Sequence, residues 1–207
     1  MLIALVLLAS QAQVSDTLWT ETGEGYEISV RYPVVAVENE EIGTILQDYA
    51  EDHILSFREM YEDYYADDPI LPDWSFELAF THEDSPDGMT VIMSWLWYYT
   101  GGAHGNTRTR AFLYDHEKDG WISTVELLGG EENFRVFAEE VIEKLNEDKN
   151  ADEGWILLGA SAQEENYHSV IPIPGDDGGI EGYTVYFPPY QVACYACGTI
   201  DVYIPAD

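Results

Sequence analysis

Apolar and polar positions alternate with a period of two over Tyr26–Tyr32, until Pro33 breaks the run. The period then lengthens. From Asn39 onward Ile42, Ile45, Leu46, Tyr49, Ala50, Ile54, Phe57, Met60, Tyr61 and Tyr64 recur at three- and four-residue steps, which predicts a long helix with one apolar face. Acidic side chains fill most of its other face, and Pro69 marks the latest point at which it ends. Alternation returns over Trp74–Thr81. A turn at Ser85–Gly88 follows, and a β-branched, aromatic run continues over Met89–Tyr99. With Thr107–Tyr114, which begins as alternating Thr and Arg, this predicts a three-stranded antiparallel meander that the helix can cover.

The second half predicts one more long helix, opening at Glu131 or Glu132, with Phe134, Phe137, Ala138, Val141, Ile142 and Leu145 on its apolar face and fraying over Asn146–Asn150. Trp155–Leu158 is a short buried element of undecided type. Asn166–Ile173 and Tyr183–Phe187 read as strands around a Gly175–Gly179 turn, Pro188–Gly198 as a compact loop or single helical turn, and Thr199–Ile204 as a closing strand. Strands and helices alternate without a βαβ rhythm or a repeat. The expected fold is α+β: antiparallel sheets with two main helices packed on them. Residues 21–115 form one strand–helix–meander subdomain and residues 116–207 a second of helix and C-terminal strands, the two expected to pack as one unit.

Composition narrows the functional classes. A hydrophobic content of 46% supports a packed core. Forty Asp and Glu against eight Lys and Arg give a net charge of -32. Phosphate backbones and anionic membrane surfaces require cationic surface, so nucleic acid is disfavoured as a partner and so is a membrane surface. A cationic partner would be steered toward this chain, although acidity also serves solubility in a salty habitat.

Leu2–Ala9 is an apolar run too short to span a bilayer, so no stable membrane span is expected there. Followed by Ser10-Gln11-Ala12-Gln13, it has the form of a secretory signal without a basic n-region. Residues 1–20 are expected to be a signal peptide cleaved near Ala12, and the protein to be secreted or periplasmic. In such a compartment Cys194 and Cys197, the only C-x-x-C, are a disulfide candidate or two thiols in a tight loop.

The chemistry-bearing motifs are few. No nucleophile-elbow, zinc-helix, phosphate-loop or dinucleotide pattern occurs, and the five histidines have no ligand spacing, so neither a metal nor a cofactor is assigned. Asp115–Glu126 sets oxygen ligands at calcium-loop positions 1, 3, 5, 9 and 12, with Gly120 at position 6. Position 3 carries Glu117, however, and a calcium loop needs a helix on each side where a strand is expected here. A hairpin is the preferred reading, and a calcium-stabilised domain the weaker one.

The most specific stretch is Tyr99–Thr107, YTGGAHGNT, a Gly-rich hairpin turn between two strands that carries His104. His104 either hydrogen-bonds loop backbone or faces a ligand. With Asp115, Asp119-Gly120, Glu126-Leu127-Leu128 and then YFPPYQVACYACG over Tyr186–Gly198, the order and spacing resemble an exported bacterial family of the DUF4163/DUF3298 type over residues 20 to 205. That family includes the extracytoplasmic domain of a lysozyme-sensing anti-sigma factor and a module of a peptidoglycan deacetylase. The resemblance implies a binding module of the cell envelope, with a lysozyme-like protein or a peptidoglycan fragment as partner. Gly101, Gly102, His104, Asn106, Tyr190 and Tyr195 are its candidate binding surface. An envelope hydrolase using His104 with a nearby carboxylate is the alternative; no catalytic residue is assigned.

Overall fold

The computed structural model describes residues 16–65, 73–147 and 153–206. The apolar run at Leu2–Ala9 lies outside these residues, as do Pro69 and Asp148–Asn150. The fold is α+β.

One sheet has the order β1 (Thr17–Gly23), β2 (Tyr26–Tyr32), β3 (Trp74–Glu83), β4 (Met89–Tyr99), β5 (Asn106–Asp115) and β6 (Gly120–Ile122). The β3–β4–β5 meander is antiparallel, as the alternation predicts. The β2–β3 pair is parallel, because the chain leaves β2, runs back along α2 (Glu40–Tyr65) and re-enters the sheet in the same direction. β1 pairs antiparallel with β2 and lies partly within the stretch assigned above to a signal peptide. Its pattern is mostly exposed, so it offers little hydrophobic alternation to read.

Asn39 opens α2: its side-chain oxygen accepts from the backbone N–H groups of Glu41 and Ile42 at 3.0 and 3.2 Å, satisfying donors that have no partner inside the helix. A short helix, α1 (Val34–Glu38), precedes it. Ile42, Leu46, Ala50, Ile54 and Phe57 of α2 are buried against Trp74, Phe76, Leu78, Phe80, Ile92 and Leu96 of the sheet. Each of the larger aliphatic and Phe side chains contributes on the order of 2 kcal/mol of burial.

The opposite face of the same sheet is apolar too. Val91, Met93 and Leu113 pack with Ile171 of β7 (Val170–Pro174). β7 begins a three-stranded antiparallel sheet with β8 (Ile180–Phe187) and β9 (Ile200–Pro205). α3 (Thr124–Leu127), α4 (Glu131–Glu147) and α5 (Glu153–Gly159) complete the fold, and α4 lays Phe134, Phe137, Ala138, Val141 and Leu145 into the core of this second sheet.

Two local expectations change. Of Trp155–Leu158, only Ile156 is buried; Leu158 is 79% exposed, so the segment is an amphipathic helix end. Asp115–Glu126 is the β5–β6 hairpin followed by a helix cap. The Asp115 carboxylate accepts from the N–H groups of Glu117 and Lys118, and Glu126 completes a capping box with Ser123. Of the oxygens counted for calcium, those of Asp115, Ser123 and Glu126 therefore serve backbone donors, and Asp119 accepts from the Tyr114 hydroxyl at 2.8 Å. Among the described residues, no helix is long and apolar enough to cross a membrane.

Candidate functional site

β4 and β5 stay paired as far as Tyr98 and Asn106, which leaves a loop between them that must reverse in few residues. Two of its glycines meet that demand in different ways. Gly101 takes φ of 78°, where an L side chain is strained. Gly105 lies against Trp97, where a Cβ would overlap the indole. Gly102 is exposed and roomy. The loop thereby presents His104 outward, and Nδ1 donates to the Gly105 carbonyl at 2.9 Å. In the neutral ring that bond places the proton on Nδ1 and leaves Nε2 as an acceptor.

The second motif supplies the partner. After β8, Pro188 and Pro189 lead to Tyr190, whose φ of 74° is a left-handed conformation that costs a non-glycine residue on the order of 1 kcal/mol. The turn is closed by Tyr190 N–H to Ala193 carbonyl at 3.0 Å and by Gln191 N–H to Pro188 carbonyl at 3.1 Å. Val192 and Ala193 are buried, and they anchor the loop from below. Held this way, Tyr190 directs its hydroxyl to His104 Nε2 at 2.9 Å. Tyr195 stacks on the imidazole with centroids 3.7 Å apart and planes at 15°. Trp155 of α5 stacks on Tyr190, 5.8 Å away at 26°.

The two motifs, 86 residues apart at the His104–Tyr190 contact, thus form one aromatic surface: Trp155, Tyr190, His104 and Tyr195. Tyr190 is 49% exposed. Leu158, one helical turn beyond Trp155, is exposed as well. Gly101 and Asn106 frame the turn and make no ring contact. Trp155 is the member that sequence reading missed, since nothing in its linear context ties it to either motif.

Both ring nitrogens of His104 are occupied, one by backbone and one by a phenol. Neither hydrogen-bonds a carboxylate. Among the described residues, no group of three His, Cys, Asp or Glu side chains is disposed to hold a metal.

Cys194 and Cys197 flank Tyr195 on a 3-10 turn, both as reduced thiols with sulfurs 3.2 Å apart. The Cys194 thiol is held below its ordinary pKa, first by the hydrogen bond from Cys197 and then by backbone N–H groups of the turn. Iodoacetamide is expected to alkylate Cys194 ahead of Cys197. Diamide should remove two protons and two electrons from the pair, drawing the sulfurs to about 2.05 Å. Ring closure over so short a loop raises stability by at most about 2 kcal/mol. A two-hydrogen mass loss with a small rise in melting temperature checks this.

The fold and the convergence of these two motifs define a two-sheet α+β module. Solved DUF3298 family proteins share this fold. One from Pseudomonas aeruginosa PAO1 matches with a TM-score of 0.52 at 18% identity, covering 94% of this chain and 91% of that one. One from Bacteroides fragilis matches with a TM-score of 0.60 at 17% identity, covering 92% and 89%. In sequence, residues 20–107 match the family model described as Deacetylase PdaC. The peptidoglycan-N-acetylmuramic acid deacetylase PdaC of Bacillus subtilis is 27% identical over 176 residues, 83% of this chain but 35% of that protein. The resemblance read from the two motifs holds, and this chain is similar to a minor part of the deacetylase's length.

Proposed function

We propose that this chain is an extracytoplasmic binding module of the cell envelope, and that its ligand is a peptidoglycan fragment received on the Trp155–Tyr190–His104–Tyr195 surface. The convergence of both motifs on that surface carries the reading. Aromatic side chains give rigid, amphipathic contact area at low entropic cost, and an apolar platform with a few fixed polar groups is the usual make-up of a small-ligand site. Tyr190 is tied to His104 through its hydroxyl and backed by Trp155, so the platform is organised before any ligand arrives. The similarity to a peptidoglycan deacetylase supports the choice of ligand.

Titration with muramidase-digested peptidoglycan, followed by calorimetry and tryptophan fluorescence, tests it. Binding should weaken about tenfold or more in Tyr190→Ala, as for a buried aromatic anchor, and less in Tyr190→Phe, which keeps the ring and loses the His104 bond. Absence of binding at moderate salt overturns the reading.

The charge of -32 favours a second reading, in which a cationic lysozyme-like protein is the partner. Its affinity would fall steeply with added salt, whereas stacking on the aromatic surface would persist.

A further inference from the structure

Beside the aromatic surface lies a cavity of about 320 Å³ whose chemistry runs against the rest of the molecule. In a chain with forty acidic residues and eight Lys and Arg, most concave surface should be lined by carboxylates. This cavity is lined by Arg108, Arg110, His53 and His168, with Glu165 as its one carboxylate. Gln191, from the loop that carries Tyr190, closes one side.

The topology accounts for the opening. β6 pairs only with Leu113–Asp115, so the first half of β5 has a bare edge. Alternation along the strand puts Arg108 and Arg110 on one face there. α2 brings His53 from above, and the segment entering β7 brings His168, whose carbonyl accepts from the Ala111 N–H at 2.7 Å.

The two arginines differ from other cations of the chain. Arg58, Lys118 and Lys144 each hold a carboxylate partner. Among the described residues, Arg108 and Arg110, like Arg31 and Arg135, have none within salt-bridge distance. They lie instead over rings: Arg108 over Tyr98 at 5.7 Å, and Arg110 over Tyr49 at 5.8 Å and Phe112 at 5.4 Å. A guanidinium held by its face keeps its in-plane N–H donors for an acceptor, in a fork that matches carboxylate and phosphate.

Each histidine of the cavity feels at least one of the arginines. His53 is held below its ordinary pKa, first by burial and then by Arg108, with Arg110 adding to this and Asp52 opposing. His168 is lowered likewise, by burial and Arg110, against Glu164 and Glu165. Near neutral pH both imidazoles therefore serve as neutral polar walls, and the charge rests on the arginines.

We propose that this cavity is an oxoanion site in which Arg108 and Arg110 together bind the carboxylate or phosphate of a small ligand about the size of one sugar acid. The cavity volume is at the lower end for small-molecule sites, in keeping with a ligand of that size. The site rests on the peptidoglycan reading only for the choice of one probe. Its neighbour Gln191 would let one ligand touch both the cavity and the aromatic surface.

Calorimetry or ligand-observed NMR with three probes decides the matter. N-acetylmuramic acid carries a carboxylate, N-acetylglucosamine is its neutral counterpart, and inorganic phosphate stands for the other source of oxoanion. N-acetylmuramic acid or phosphate should bind the wild-type chain, and N-acetylglucosamine about tenfold more weakly or not at all. Which anion binds more tightly identifies the source. Arg108→Gln and Arg110→Gln should each lose about tenfold, and Arg108→Lys less, since it keeps the charge but not the fork. Equal binding of the neutral and acidic sugars, no binding of either anion, or anion binding unaffected by both Gln variants overturns the proposal. Digested peptidoglycan assayed on the same variants separates the two readings. Retained binding that still depends on Tyr190 leaves the aromatic surface standing even if the cavity fails.

Discussion

Gly159→Ala is expected to destabilise the protein by about 3 kcal/mol and to abolish ligand binding with it. Gly159 ends α5 beneath the Pro188–Gly198 loop. A Cβ built there overlaps the Gln191 carbonyl oxygen and lies 2.7 Å from its carbon. The obstacle is backbone, which cannot swing aside as a long side chain can. It is also tied down. Gln191 Nε2 donates to the carbonyls of Gly159 and Asn166, both at 2.8 Å, while Asn166 Nδ2 donates to the Leu158 and Ser161 carbonyls at 3.0 and 3.1 Å. Admitting a methyl therefore means parting loop from helix and stranding several half-buried polar groups. The gain in helix propensity from Gly to Ala is about 1 kcal/mol and does not offset this. Tyr190 immediately precedes Gln191 in the chain, so the same shift removes it from His104. Gly102→Ala is the contrasting case. The nearest atom to its Cβ is the His104 carbonyl oxygen at 3.9 Å, an ordinary contact, and stability should change little. Urea unfolding of both variants checks the pair. Equal midpoints would mean that the loop is not seated on α5 as described.

That contrast bears on what was legible in the sequence. Periodicity reports which residues face a core, so the 26–32 strand, α2, the meander and α4 could all be read from it. It is silent about polar strands and about pairing direction, which is why β1 and the parallel β2–β3 pair had to come from the structure. The YTGGAHGNT turn and the YFPPYQVACYACG segment were each visible, and so were their candidate residues. Their contact was not, because a hydrogen bond between His104 and Tyr190 leaves no trace in local spacing. Trp155 and Gly159 have the same problem in sharper form. One resembles any core aromatic and the other any helix-ending glycine, until the loop above them is placed. The oxoanion cavity draws on α2, β5, the entry to β7 and the loop after β8. In sequence its arginines are just a Thr-Arg alternation, and against forty acids only their position makes them unusual.

Tyr167→Ala should cost about 3–5 kcal/mol, the range for emptying a large aromatic site in a core. The side chain is fully buried, packed edge-on against Phe134 at 5.2 Å and beside Phe137 and Phe187. Its hydroxyl donates to the Ala160 carbonyl at 2.7 Å and its own carbonyl accepts from Thr124 Oγ1 at 2.8 Å, so one residue joins α3, α4, the end of α5 and the second sheet. Tyr167→Phe keeps the packing and strips the Ala160 carbonyl of its donor, for a loss of about 1–3 kcal/mol. The phenol also sets a pH limit. Burial raises its pKa above the ordinary value of 10.0, and Tyr32 is pushed up to about 12 by burial and then by the Glu51 carboxylate. In the unfolded chain both phenols lose their protons from about pH 10 upward, while the folded chain retains them. The unfolded state then binds fewer protons, so stability is fully present below pH 10 and falls as pH rises through the folded values. Urea midpoints measured from pH 9 to 12 should decline, with less slope in Tyr167→Phe and least in Tyr167→Phe combined with Tyr32→Phe. An alkaline slope unchanged in the double variant would show that these two phenols are not what the folded state keeps protonated, and would move the cause to the other phenols raised by burial, Tyr49, Tyr183 and Tyr186. Mutual repulsion of the forty carboxylates is already complete well below pH 9 and adds no slope of its own in this window.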